Sequence, residues 1–149
     1  MTLKEKLETE LFNALRNKNE IRKTTIRMAI SNIKLIEIEQ KGILDDSGIM
    51  ASLYKEIKMR NETIEEAKKG NRDSIIKEKE DEIAILKEFL PQSLNDVELI
   101  DLAKIVIQEL NAVSIKDMGN VMRVMIERVK GQAPNDAISR VIKELLQNK

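Results

Sequence analysis

The sequence predicts an all-α protein built as two helical lobes. Apolar residues recur at three- and four-residue spacing along most of the 149-residue chain, the period of a helix that buries one face. No segment alternates apolar and polar residues as a half-buried strand does. Glycines, prolines and short runs of Asn, Asp and Ser fall between the periodic stretches, where helices stop and start.

Leu3, Leu7, Leu11 and Leu15 mark the first helix, and the polar turn from Asn17 to Asn19 interrupts it. The second starts near Glu20 or Ile21 and reaches about Gln40. Ile21, Met28, Ile33 and Ile36 line one face of it, and Ile26, Ile30 and Ile38 widen the apolar arc. So broad a stripe implies burial against more than one neighbour. Gly42 reads as a left-handed stop, and Asp45 or Asp46 as the cap of the next helix. The third helix carries Ile49, Leu53, Ile57, Ile64 and Ala67 and ends at Gly70. The fourth carries Ile76, Ile83, Leu86 and Leu90, and Pro91 stops it.

The joint PQSL, from Pro91 to Leu94, is the expected lobe boundary. It separates an N-terminal bundle of about four helices, residues 1–92, from a three-helix C-terminal domain, residues 93–149. Asn95 and Glu98 have capping-box spacing and open the fifth helix, with Leu99, Leu102, Val106 and Leu110 facing inward. Ser114 or Asp117 caps the sixth, which holds Met118, Met122, Met125 and Val129. Pro134 suits the first turn of the seventh, which holds Ile138, Val141, Ile142 and Leu145.

Composition excludes several chemistries. There is no cysteine and no histidine, so disulfides, thiolate nucleophiles and the common neutral-pH proton shuttle are absent. Only Phe12, Tyr54 and Phe89 are aromatic, which leaves the core to Ile, Leu, Val and Met. No apolar run has membrane-spanning length, and the first residues form an amphipathic helix rather than a signal peptide. These features place the chain in the cytoplasm as an expectation. Ser52 and Lys55 have the spacing of a serine–lysine pair, but the companion motifs are missing. Glu78, Asp81 and Glu82 share a face that offers oxygen to a hard cation, but surface solvation accounts for them better. Glu56 with Arg60, and Glu78 and Glu82 beside Lys79, read as solubilising pairs on exposed helices. No phosphate loop, dinucleotide fingerprint or nucleophile elbow occurs. No catalytic residue, metal ligand or cofactor is assigned.

Charge is uneven although it sums to zero. Residues 1–34 carry a net +4, residues 35–94 a net −4, residues 95–113 a net −3 and residues 114–149 a net +3. Arg16, Lys18, Arg22, Lys23 and Arg27 crowd the first block. Lys116, Arg123, Arg128, Lys130, Arg140 and Lys143 are spread along the last. Such ends present cationic surface despite a neutral total, though charges of this kind also describe a plain solvated face. Gly119 sits in the first turn of the sixth helix, where amides of Met118, Gly119 and Asn120 lack helical acceptors and a phosphate can approach the backbone. Close helix packing is the competing reason for a glycine there. Gly131 follows a basic helix end and closes it in the left-handed conformation. The expected RNA-binding residues are Lys116, Gly119, Arg123, Lys130, Gly131 and Arg140.

A family resemblance rests on five segments: KMRNETI from Lys58, GNRD from Gly70, EIAILKEFLPQSL from Glu82, DMGNVM from Asp117 and KGQA from Lys130. Together they resemble the YqeY family, bacterial all-helical proteins related to the tail domain of GatB, the tRNA-recognising subunit of the tRNA-dependent amidotransferase. The resemblance implies a GatB-tail-like second lobe and affinity for the outer corner of tRNA. It also implies an aminoacyl-tRNA synthetase or amidotransferase as partner. Through it alone comes a carbon–nitrogen ligase activity with glutamine as amido donor, which no residue pattern here supports. The family often reads Lys-Gly-x-Ala-Asp-Gly where this chain has Pro134-Asn135 after KGQA. The leading expectation is therefore a non-catalytic tRNA-binding module without cofactor, metal or membrane. The alternatives are a component of a glutamine-dependent amidotransferase and a helical protein–protein adaptor.

Overall fold

A computed structural model describes residues 1–148. Among the described residues every regular element is a helix, as the periodicity requires. They are α1 (Leu3–Arg16), α2 (Glu20–Gln40), α3 (Asp46–Lys69), α4 (Asp73–Lys87), α5 (Asp96–Glu109), a 3-10 turn (Ile115–Asp117), α6 (Met118–Val129) and α7 (Asn135–Gln147). The chain divides into two compact units, one spanning Met1–Pro91 and one starting at Gln92.

In the N-terminal unit, α2 packs against α1, α3 and α4, and α3 lies along α4. Leu7, Ile26, Ile33, Ile49, Leu53 and Leu86 are fully buried between them, each contributing roughly 1.5–3 kcal/mol of transfer free energy. Local chemistry fixes the helix starts. Thr2 and Glu5 form a capping box, Asn19 accepts from the Arg22 amide and Asp45 from the Gly48 amide at 2.8 Å.

Three expectations for this unit need correction. Leu15 is 46% exposed, because a four-residue step outruns the helical turn and rotates Leu15 by roughly 120° from Leu3. On α2 the inner face is Thr25, Ile26, Ala29 and Ile33, whereas Met28 and Ile38 face solvent. The left-handed stop after α2 is Lys41, with φ 55°. Gly42 follows it and donates its N–H to the Glu37 carbonyl at 3.1 Å, so the helix closes one residue earlier than the glycine suggested.

A fourth correction concerns charge. Glu56, Arg60 and Glu82 are buried, at 4%, 7% and 6% exposure. They are not the solvated pairs that their spacing suggests. Arg60 Nε donates to Glu82 Oε1 at 3.1 Å, and an Arg60 terminal nitrogen lies 3.4 Å from Glu56 Oε1. Lys79 reaches Glu82 at 3.2 Å from the rim. Glu56 Oε2 has no hydrogen-bond partner. Burial pushes the Glu56 carboxyl above the usual carboxylate value, against the opposing pull of Arg60. A raised native value makes the unfolded chain the better acid. The stability that Glu56 contributes is therefore intact below the ordinary carboxylate range and is lost as pH rises through the native value. Urea midpoints measured from about pH 4 to 8 should fall more steeply for the native chain than for Glu56→Gln. Parallel curves would contradict the buried placement.

In the C-terminal unit α5, α6 and α7 pack pairwise around Val106, Val121, Met125, Ile138 and Ile142. Asn95 and Glu98 form the expected capping box. Leu110 is 41% exposed, and Ala103 and Ile107 take the inner positions instead. Pro134 is the residue before α7 rather than within its first turn. The Leu94 amide donates to the Gln132 carbonyl at 2.9 Å, tying the PQSL segment to the corner between α6 and α7.

Candidate nucleic-acid interface

The 3-10 turn and α6 form one nearly continuous helical stretch, and its inner side is settled by Val121, Met125 and Val129. Residues three, four and seven apart share a helix face. That geometry puts Gly119 and Arg123 on the opposite, exposed face, with exposed Lys116 in the 3-10 turn before it and exposed, left-handed Lys130 just past its end. Seven residues of helix rise roughly 10 Å, so each cation can meet its own phosphate. None of Lys116, Arg123 or Lys130 is in an ion pair among the described residues. Arg123 is steadied by a hydrogen bond to the Asn120 side chain at 3.2 Å, a partner whose i, i+3 spacing was readable in the sequence. Exposed Glu127, four residues after Arg123 and three before Lys130, shares this face with the cations.

Gly119 is exposed, and a Cβ built on it would meet nothing within 4 Å. Helix packing is thus not the reason for glycine at this position. The bare-amide expectation is corrected in part. The 3-10 turn precedes α6, and within it the Met118 amide already donates to the Ile115 carbonyl. Ser114 caps that turn through the Lys116 amide at 3.3 Å, while Asp117 accepts from the Val113 and Ser114 amides instead of capping α6. Gly119→Ala should raise stability by about 0.5–1 kcal/mol, since alanine is the better helix former. If a phosphate approaches this backbone, the same change weakens RNA binding. A gain in melting temperature together with a loss of affinity is the expected result.

At the corner Lys130 and Gly131 are both left-handed, with φ 50° and 80°. Gly131 takes the expected conformation. That of Lys130 recurs at Lys18 and Lys41, where it likewise follows a helix. Arg140 is exposed on α7. Arg128 points to the other side of α6, where it forms an ion pair with Glu109 at the end of α5. This bond holds the Glu109 carboxyl below the usual carboxylate range. The N-terminal basic block is largely engaged. Arg22 bridges Glu10 at 2.9 Å and Glu88 at 2.6 Å, Lys23 meets Glu20, and Arg16 lies over the Phe12 ring.

The other chemical candidates come apart in space. Ser52 is buried while Lys55 is exposed. Glu82 turns inward to Arg60, and Asp81 pairs with Lys77. Among the described residues no group of three or more acidic, His or Cys side chains is placed to hold a metal, and no helix is long and apolar enough to cross a membrane. A shallow groove in the C-terminal unit is lined by Lys104, Ile107, Asn111, Val113 and Leu145 among others. None of the six expected RNA-binding residues lines it.

Comparison with known proteins fixes the family. A family model described as Yqey-like protein matches residues 4–146, and the chain belongs to that family. Curated relatives carry the name "Altered inheritance of mitochondria protein 41, mitochondrial". The Lachancea thermotolerans relative is 40% identical over 87 residues, covering 58% of this chain and 46% of that protein. The Pyrenophora tritici-repentis relative is 25% identical over 144 residues, covering 95% of this chain and 79% of that protein. The Saccharomyces cerevisiae S288c relative is 31% identical over 127 residues, covering 85% and 67%. The chain thus aligns with less than half of the first of these proteins. Their name overturns the expected cytoplasmic placement, because these relatives are mitochondrial. Freedom from cysteine constrains redox exposure and does not identify an organelle.

Proposed function

We propose that this YqeY-family chain is a non-catalytic tRNA-binding module, with the exposed 3-10/α6 face of its C-terminal unit as the contact surface. The observation that carries this reading is a row of cations, Lys116, Arg123 and Lys130, unpaired among the described residues and running beside the open backbone of Gly119. Charges left free of internal acids are available to displace counterions from a polyanion. Residues 92–149 contain no Phe, Tyr or Trp, so base stacking on this unit has no platform. Recognition then rests on phosphates, ribose and the shape of folded RNA. Gly131 sets the corner that presents Lys130, and Arg140 extends the cationic surface onto α7. Bond-making on the bound tRNA falls to an aminoacyl-tRNA synthetase or an amidotransferase acting on the same molecule.

Titration of total tRNA against the full chain, in low and moderate salt, tests this. A log–log salt slope of roughly −3 to −5 is expected if four to six phosphates are neutralised. Failure to bind even in low salt would falsify the reading.

A further inference from the structure

The α2 helix carries an apolar seam that its own unit does not cover. Met28, Leu35 and Ile38 are 48%, 56% and 73% exposed, and Thr24 before them and Ser31 between them are exposed too. Positions 24, 28, 31, 35 and 38 alternate four- and three-residue steps, which keeps them in line along one side of a helix. That line lies opposite Ile26, Ala29 and Ile33, which face the core. A membrane-binding face is a broad apolar arc. This one is a single narrow row with hydroxyls at two of its positions, the geometry of a helix-pairing seam.

Charge along the seam selects the partner. Arg27, Lys34 and Lys41 recur every seventh residue on one edge, all exposed and, among the described residues, in no ion pair. The other edge runs past half-buried Asn32 and exposed Glu39. Antiparallel pairing of two copies would set the basic edge against itself, and like charges face to face oppose association. Parallel pairing of two copies would offer the three cations only Glu39 and Asn32. We propose that α2 docks an amphipathic helix of another polypeptide, with aliphatic residues at the same alternating spacing and carboxylates along the edge that meets Arg27, Lys34 and Lys41. The proposal concerns the N-terminal unit and does not depend on the RNA-binding reading.

The test uses the full chain and two labelled, hydrocarbon-stapled peptides that share a leucine seam, one flanked by Glu and one by Lys. Fluorescence anisotropy should show the Glu-flanked peptide binding at least about tenfold more tightly. The triple variant Arg27→Glu, Lys34→Glu, Lys41→Glu should reverse that preference. Leu35→Glu and Ile38→Glu, at exposed positions and with unchanged circular dichroism, should weaken both peptides by about tenfold or more. Three results would overturn the proposal. One is equal binding of the two peptides, or binding indifferent to Leu35 and Ile38. Another is a native dimer in sedimentation equilibrium that Leu35→Glu dissolves. The last is seam-dependent binding to phosphatidylserine vesicles in place of the peptide.

Discussion

Arg60→Ala should lower the stability of the N-terminal unit by about 3–5 kcal/mol, the cost of leaving buried carboxylates without their cation. Arg60 is 7% exposed, and both Glu56 and Glu82 depend on it. An exposed pair at the same spacing would contribute only about 0.2–1 kcal/mol. The size of the loss therefore decides between a buried cluster and a surface ladder. Set against a typical domain stability of roughly 5–15 kcal/mol, it should move the urea midpoint far enough to read without extrapolation. A second variant separates burial from simple loss of contacts. Replacing the cluster together, Glu56→Leu with Arg60→Met and Glu82→Leu, should restore most of the stability, because no uncompensated charge remains inside. A loss under about 1 kcal/mol in Arg60→Ala would show that water reaches these groups.

That cluster marks where the sequence stopped being legible. Glu56 and Arg60 at i, i+4 spell the same ion pair on a wet face or a dry one. The deciding partner, Glu82, comes from the next helix. Helix α2 shows the same limit, since its sequence is apolar over a broad arc and only the placement of α1, α3 and α4 decides which half is covered. Features fixed within a few residues were readable. Asn95 with Glu98, a cap at Asp45 or Asp46 before α3 and the left-handed Gly131 depend on chemistry that a short peptide already contains. The shared face of Gly119 and Arg123 follows from helical spacing alone, whereas the placement of Lys116 in a 3-10 turn and of Lys130 in a left-handed cap does not. The 3-10 turn that occupies the Met118 amide was not readable, nor was the pairing of Arg128 with Glu109, two residues brought together by the packing of α5 on α6.

The engagement of Arg128 sharpens the second large expected effect. The triple variant Lys116→Gln, Arg123→Gln, Lys130→Gln should lose tRNA affinity on the order of a hundredfold in low salt, as three phosphate contacts disappear. All three side chains are exposed and free of ion pairs among the described residues, so stability should change by no more than about 0.5 kcal/mol. Arg128→Gln removes a cation from the same helix, but one already neutralised by Glu109. It should leave tRNA binding nearly unchanged.

In the proposed function the free cations of the 3-10/α6 face, and not basic charge in general, hold the RNA. The salt dependence of tRNA binding, compared among the native chain, the triple variant and Arg128→Gln, tests it most directly. The triple variant should flatten the log–log slope by roughly 2–3 while Arg128→Gln leaves it unchanged. A triple variant with the native slope, or an Arg128→Gln loss as large as that of the three together, would contradict it.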